Sequence, residues 1–325
     1  MSTLTSSVGG ASPRSRRLRR PDGAWLGLLP FVVLVGGGFI APICFVVYQA
    51  LRKTETFQPK GPDGQPLRDP VTQQFVKVTK SSFTWDNLRQ SFEGVYHTAL
   101  MNSIVLSLLT AAIATVVGFV LAQVVVSSGS RVIREVVSTI SAVAANFGGV
   151  PLAFLFIATL DANSGVVSVF LQTKLHLSLQ DDLHFNLQGI SGMCVVYLYF
   201  LVPLMVLVTM PALEGLRPQW GEAAEGLGAS RWQYWRYVAG PVLLPTVLGA
   251  LLLLFCSSFS AFATAYALNH TFPLLPTEIN NVLNGNSYVG GVSLGSALAL
   301  DIIVFVLPLT VVYQLLQRRT SRWLA

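Results

Sequence analysis

Six long apolar runs constrain this chain more than any other feature, and they lie at about 25–50, 98–126, 136–160, 190–213, 242–268 and 292–316. A helix needs about 20 apolar residues to cross the hydrocarbon core of a bilayer. Within lipid every backbone N–H and C=O must find a partner inside the segment, so each run is expected to be a helix. The runs are too long for barrel strands and lack their alternation, which excludes a transmembrane β-barrel. Only 11% of the 325 residues are charged and 52% are apolar, where a soluble domain carries roughly 25% charge. The expected fold class is an all-α polytopic membrane protein with six transmembrane helices.

Charge gives the expected orientation. With the N-terminus inside, segments 1–24, 127–135, 214–241 and 317–325 face the cytoplasm and hold 13 of the 21 Lys and Arg, for a net +8. The outer segments sum to −1. Basic residues accumulate on the cytoplasmic side of membrane proteins, so both termini are expected there. Arg14, Arg16, Arg17, Arg19 and Arg20 form a basic tail before the first run, read as an orientation signal and not as a nucleic-acid surface. The first run is read as a retained anchor, because no small-residue cleavage site follows it. Cys44, Cys194 and Cys256 sit in apolar runs without metal-ligand spacing, and the four histidines are scattered, so no metal site is expected.

Segment 51–97 is an outer insertion, with Pro59 to Pro66 rich in turn residues. Phe75 to Val78 reads as a short strand, and Trp85 to Tyr96 either as a helix lying at the interface or as an ordered loop. Segments 161–189 and 269–291 are the other outer loops.

The inner segment 214–241 carries Glu222-Ala223-Ala224, then Gly228, then Val238 and Gly240-Pro241. Glu222 and Glu225 suit the positive end of a helix that begins nearby, and Arg231 and Arg236 suit its far end. Ala224 and Gly228 are four apart, so one helical face would offer little bulk to an approaching protein. Periodicity alone also allows a helix that lies on the membrane.

The full pattern resembles the signature loop of membrane subunits in binding-protein-dependent ABC importers, with Gly240 where that family usually has leucine. Residues 98–316 look like the core membrane domain of the family. Gly149 to Ala153, Tyr197 to Pro211, Leu254 to Phe259 and Phe262 to Ala265 look most like its spermidine/putrescine branch. The resemblance implies a type I permease fold whose loop is a coupling helix docked on a separate ATPase. Glu222, Ala223, Ala224, Gly228, Arg231 and Pro241 would form that contact. It further implies a second homologous permease, more often a different chain, two ATP-binding subunits, and an extracytoplasmic substrate-binding protein. This chain would be non-catalytic and bind no cofactor, since it lacks a phosphate-binding glycine loop ahead of a lysine; ATP and Mg would belong to the partners. A bacterial inner-membrane polyamine importer is the first expectation. Ferric iron, thiamine, phosphonate or inorganic-anion import, and then a gradient-driven carrier, are the alternatives.

For the translocation path the candidates are Asp301, Asn146, Asn102, Phe259 and Phe262, because polar groups within spans face protein or water. Asp301 lies about 12–14 Å from the outer end of its run. It is either a carboxylate lining the path for cations or a structural acid bonded to a neighbouring span. Asn146 precedes Phe147-Gly148-Gly149-Val150-Pro151, a hinge or a packing notch. Phe255, Phe259 and Phe262 are spaced for one aromatic helix face, either core or a hydrophobic gate.

Overall fold

The computed structural model describes residues 24–57, 78–180, 182, 185–284 and 291–324. The basic tail, the Pro59–Pro66 stretch, Phe75 to Lys77 and Asp181 lie outside them. The chain divides into two units, one ending at Phe45 and one beginning at Val46. Helix α1 (Ala24–Val35) runs through Pro30 and a π turn at Gly36–Ile40 into α2 (Ala41–Ala50), whose last five residues belong to the second unit.

After α2 the second unit forms an antiparallel hairpin, β1 (Arg52–Phe57) on β2 (Val78–Phe83), paired from Arg52 with Phe83 to Phe57 with Val78. Of the Phe75–Val78 reading only Val78 lies among the described residues, and it begins β2. The stretch read as one interfacial helix or an ordered loop is a short α3 (Asp86–Gln90) followed by the start of α4 (Gly94–Ser127). Next come α5 (Arg131–Asn146), α6 (Val150–Leu160), α7 (Val166–Leu175) and α8 (Ile190–Glu214). They are followed by α9 (Pro218–Gly226), α10 (Arg231–Tyr234) and, after a π turn at Trp235–Ala239, α11 (Gly240–Phe259). The last helices are α12 (Ala263–Leu268), α13 (Leu275–Asn284) and α14 (Gly291–Leu324).

Five helices among the described residues are long and apolar enough to cross a membrane, and a sixth span is obtained if the bent pair α5 and α6 counts as one. Three runs differ from the sequence reading. The run at 136–160 is two helices at 98°. The run at 242–268 belongs to a helix that starts earlier, at Arg231, and stops at Phe259 before α12 begins. The last run continues as helix through the 317–325 tail as far as Leu324.

The core of this unit is built where α4 meets α8 and α11. Leu106, Ala111, Tyr197, Leu201, Met205 and Leu254 are buried there. Small residues on α4 let large ones on α8 approach, which maximises dispersion contacts in a medium where lipid is as apolar as the side chains. A second cluster joins α4, α13 and α14 through Leu100, Leu275, Leu294 and Leu298.

Candidate functional site: the 214–241 segment and two helix breaks

Helix α8 stops at Glu214, where Arg134 of α5 lies 3.1 Å from its carboxylate. Pro218 then starts α9, its fixed φ suiting a first helical turn. Glu222 sits in the middle of α9 and Glu225 in its last turn, so neither meets the helix N-terminus; the first turn has no acid. Gly228 is not on the helix. It has φ +76°, its N–H donates to Glu225 O at 2.9 Å, and the Ala229 N–H donates to Ala224 O at 2.9 Å. This pair of bonds is a Schellman ending, which requires a left-handed residue and favours glycine. The shared face expected for Ala224 and Gly228 is therefore replaced by a reversal of the chain. Arg231 accordingly opens a new helix, α10, capped by Ser230 and Gln233 in reciprocal bonds of 3.3 and 2.7 Å.

The π turn explains Gly240. Pro241 has no N–H, and the Gly240 N–H donates five residues back to Trp235 O. A Cβ at position 240 would lie 2.6 Å from that oxygen. Leucine does not fit this backbone without a shift.

Between α9 and the start of α11 lies an apolar groove of about 540 Å³, lined by Ala223, Ala224, Leu227, Tyr237, Val238 and Pro241 among others. A second, more polar cavity of about 400 Å³ lies on the other side of Ala224 and reaches Arg217, Glu225 and Arg231. Leu227 is 88%, Trp232 72% and Tyr237 69% exposed. Trp235 instead packs edge-on to Phe119 of α4. Glu222 is exposed beside the groove and does not line it.

The path candidates separate. Asn146 is exposed at the end of α5, and its side-chain amide donates back to Ala142 O at 2.8 Å, one turn earlier in the same helix. Phe147 leaves the helix, Gly149 has φ +78°, and Pro151 falls in the first turn of α6. Phe262 stands at a second break, residues 260–262, with its ring 5.2 Å from Tyr266. The aromatic stripe is thus divided: Phe259 is 1% exposed and stacks on Phe255 in α11, while Phe262 is 37% exposed at the cap of α12. Asn102 donates to Pro273 O at 3.1 Å, pinning the turn before α13 to α4. Asp301 is buried in α14.

The two breaks are joined. The Gly149 N–H donates to the Thr264 hydroxyl at 2.9 Å, and that hydroxyl lies 3.4 Å from Gly149 O. Tyr197 of α8 donates to Ala261 O at 3.1 Å, filling a carbonyl freed by the second break. Neither Thr264 nor Tyr197 stood out as a site residue by sequence. The available signal was a tyrosine within a span, whose hydroxyl must find a partner when buried.

A family model described as binding-protein-dependent transport system inner membrane component matches residues 114–322. The ferric transport system permease protein FbpB of Actinobacillus pleuropneumoniae is 27% identical over 146 residues, 44% of this chain and 21% of that protein. The sulfate transport system permease protein CysT of Escherichia coli is 38% identical over 71 residues, 22% of this chain and 26% of its own length. The chain thus aligns with about a quarter or less of these relatives. Among solved structures, a bacterial ABC transporter involved in the import of the acidic polysaccharide alginate has a similar fold. The TM-score is 0.62 at 18% identity, covering 92% of this chain and 95% of that one.

Proposed function

Since the chain belongs to the family of binding-protein-dependent transport system inner membrane components, a family of non-catalytic membrane subunits, we propose that it is the permease subunit of an ATP-driven importer and that segment 214–241 is its coupling element. One observation carries this reading. The loop folds into a helix, a glycine reversal and a second helix that together enclose an apolar groove, while Leu227, Trp232 and Tyr237 stand bare around it. Contiguous exposed apolar surface of this kind marks an interaction site.

In this reading an ATPase subunit covers the groove and bonds to Glu222 beside it and to Arg231 in the neighbouring polar cavity, the segment faces the cytoplasm, and both termini lie on that side. ATP and Mg are held by two ATPase subunits. A second permease, most simply a different homologous chain, completes the pore, and a binding protein outside delivers solute. The route runs past the joined breaks, with Asn146 and Phe262 on it. Asn102, Phe259 and Asp301 are packed side chains beside it. For the cargo, the names of the matched relatives favour ferric iron or an inorganic anion over a polyamine, which has no counterpart among them.

Native mass spectrometry of the chain extracted with its co-expressed genomic neighbours tests the proposal. A complex of two permeases and two ATPases is expected. An active chain without an ATPase would point to a gradient-driven carrier.

A further inference from the structure

Three buried polar residues lie where the hairpin meets α14. Asn87 of α3 is 7% exposed, Ser91 just after it is fully buried, and Asp301 is 4% exposed. Both amide hydrogens of Asn87 are used, on Ala50 O at 3.0 Å and Arg52 O at 2.8 Å. Those carbonyls are the junction of α2 and β1, and the Thr84 N–H closes the other side of the hairpin base on Leu51 O at 2.9 Å. The foot of the hairpin is therefore tied to α3, which packs on α14. Ser91 extends the tie: its hydroxyl donates to Leu88 O at 2.9 Å, and its oxygen faces the Asp301 carboxyl of α14. Oδ2 of Asp301 is buried with no partner among the described residues.

A hydroxyl has one hydrogen, so Ser91 cannot donate to Leu88 O and to Asp301 together. An amide at position 301 would donate to Ser91 Oγ and leave the serine hydrogen on Leu88. The contact thus needs a polar group of this shape and no charge. A carboxylate that receives cations needs the reverse, a charge within reach of solvent.

We propose that Asp301 is a positioning residue that, with Ser91, fastens the outer hairpin to α14, so that the binding protein's action at the outer face reaches this helix through the fastening. The proposal rests on the importer reading for its partner, though the fastening itself does not.

The test uses the assembled importer in proteoliposomes, with Asp301→Asn, Asp301→Ala and Ser91→Ala. Readouts are solute uptake over a concentration series, ATPase activity with and without binding protein, and cleavage of the hairpin by added protease. Asp301→Asn is expected within twofold of the unaltered chain in all three. Asp301→Ala and Ser91→Ala are expected to lose at least fivefold of the binding-protein stimulation while keeping basal ATPase activity, with hairpin cleavage at least fivefold faster. If Asp301→Ala does not assemble, Ser91→Ala decides. Loss of uptake in Asp301→Asn with a protected hairpin would overturn the proposal in favour of a path carboxylate. Unchanged cleavage and stimulation in both alanine variants would overturn it as well. Absence of any ATPase on the unaltered chain would remove the importer reading, and hairpin cleavage would still judge the fastening.

Discussion

The 214–241 segment and the base of the β1–β2 hairpin solve opposite problems. The first leaves large apolar side chains bare, with Leu227 and Trp232 mostly in solvent, and closes its backbone with local caps. The second draws polar side chains inside and spends them on carbonyls 35 and 37 residues away. Exposed apolar area is stabilised only when something covers it, so the first region is incomplete in this chain alone. A buried side chain with both donors bonded, as in Asn87, is specific about its neighbours and needs no cover from outside. In the proposed reading the first region receives another protein, and the second holds this one together.

The largest effect that could break this contrast is at Gly228. A substituted residue must adopt φ +76°, at roughly 1–2 kcal/mol, although a Cβ there would meet nothing within 4 Å. Gly228→Ala and Gly228→Leu are both expected to lower uptake at least tenfold with ATP hydrolysis retained. If alanine is silent and leucine harmful in paired uptake and ATPase assays, the glycine serves a close contact and not the turn.

Thr264→Val should come next. It leaves the half-buried Gly149 N–H without its partner, a loss of up to about 1–3 kcal/mol, and thermal melting in detergent should fall by several degrees, with Thr264→Ser restoring it. Unchanged melting of the valine variant would show that the two breaks hold without this bond.

Gly240→Leu should cost roughly 1–3 kcal/mol as overpacking against Trp235 O. Melting of Gly240→Leu and Gly240→Ala, which both carry the Cβ, against the unaltered chain measures it, and equal stability of all three would mean the π turn yields freely to an α-helix. The smallest effect is expected for Arg134→Gln. Its partner Glu214 is more than a third exposed, so screening keeps the loss under about 1 kcal/mol. A loss that persists in high salt would mark this pair as part of the coupling region.

The sequence legibly marked the membrane class, the bounds of α8 and the place where the third run bends. Hydropathy counts residues and is blind to direction, so it ran through the break after Phe259 and merged Phe262 with a stripe it does not join. The Gly228 error has a similar origin. A spacing of four implies one face only while the helix lasts, and the helix had already closed on Ala224 and Glu225. The hairpin register was out of reach because it pairs residues across a 20-residue interval. Gly240 looked like a loosened motif, and its reason became visible only with the carbonyl of Trp235 beside it.

Helix α14 has 34 residues, a rod of about 51 Å at 1.5 Å per residue. Such a rod outreaches a hydrocarbon core of about 30 Å. Tilted by about 5° about one end, a rod of that length carries its far tip about 4 Å sideways. Whatever grips this helix in its first third works with leverage, and a small rotation there becomes a displacement of atomic size at its far end.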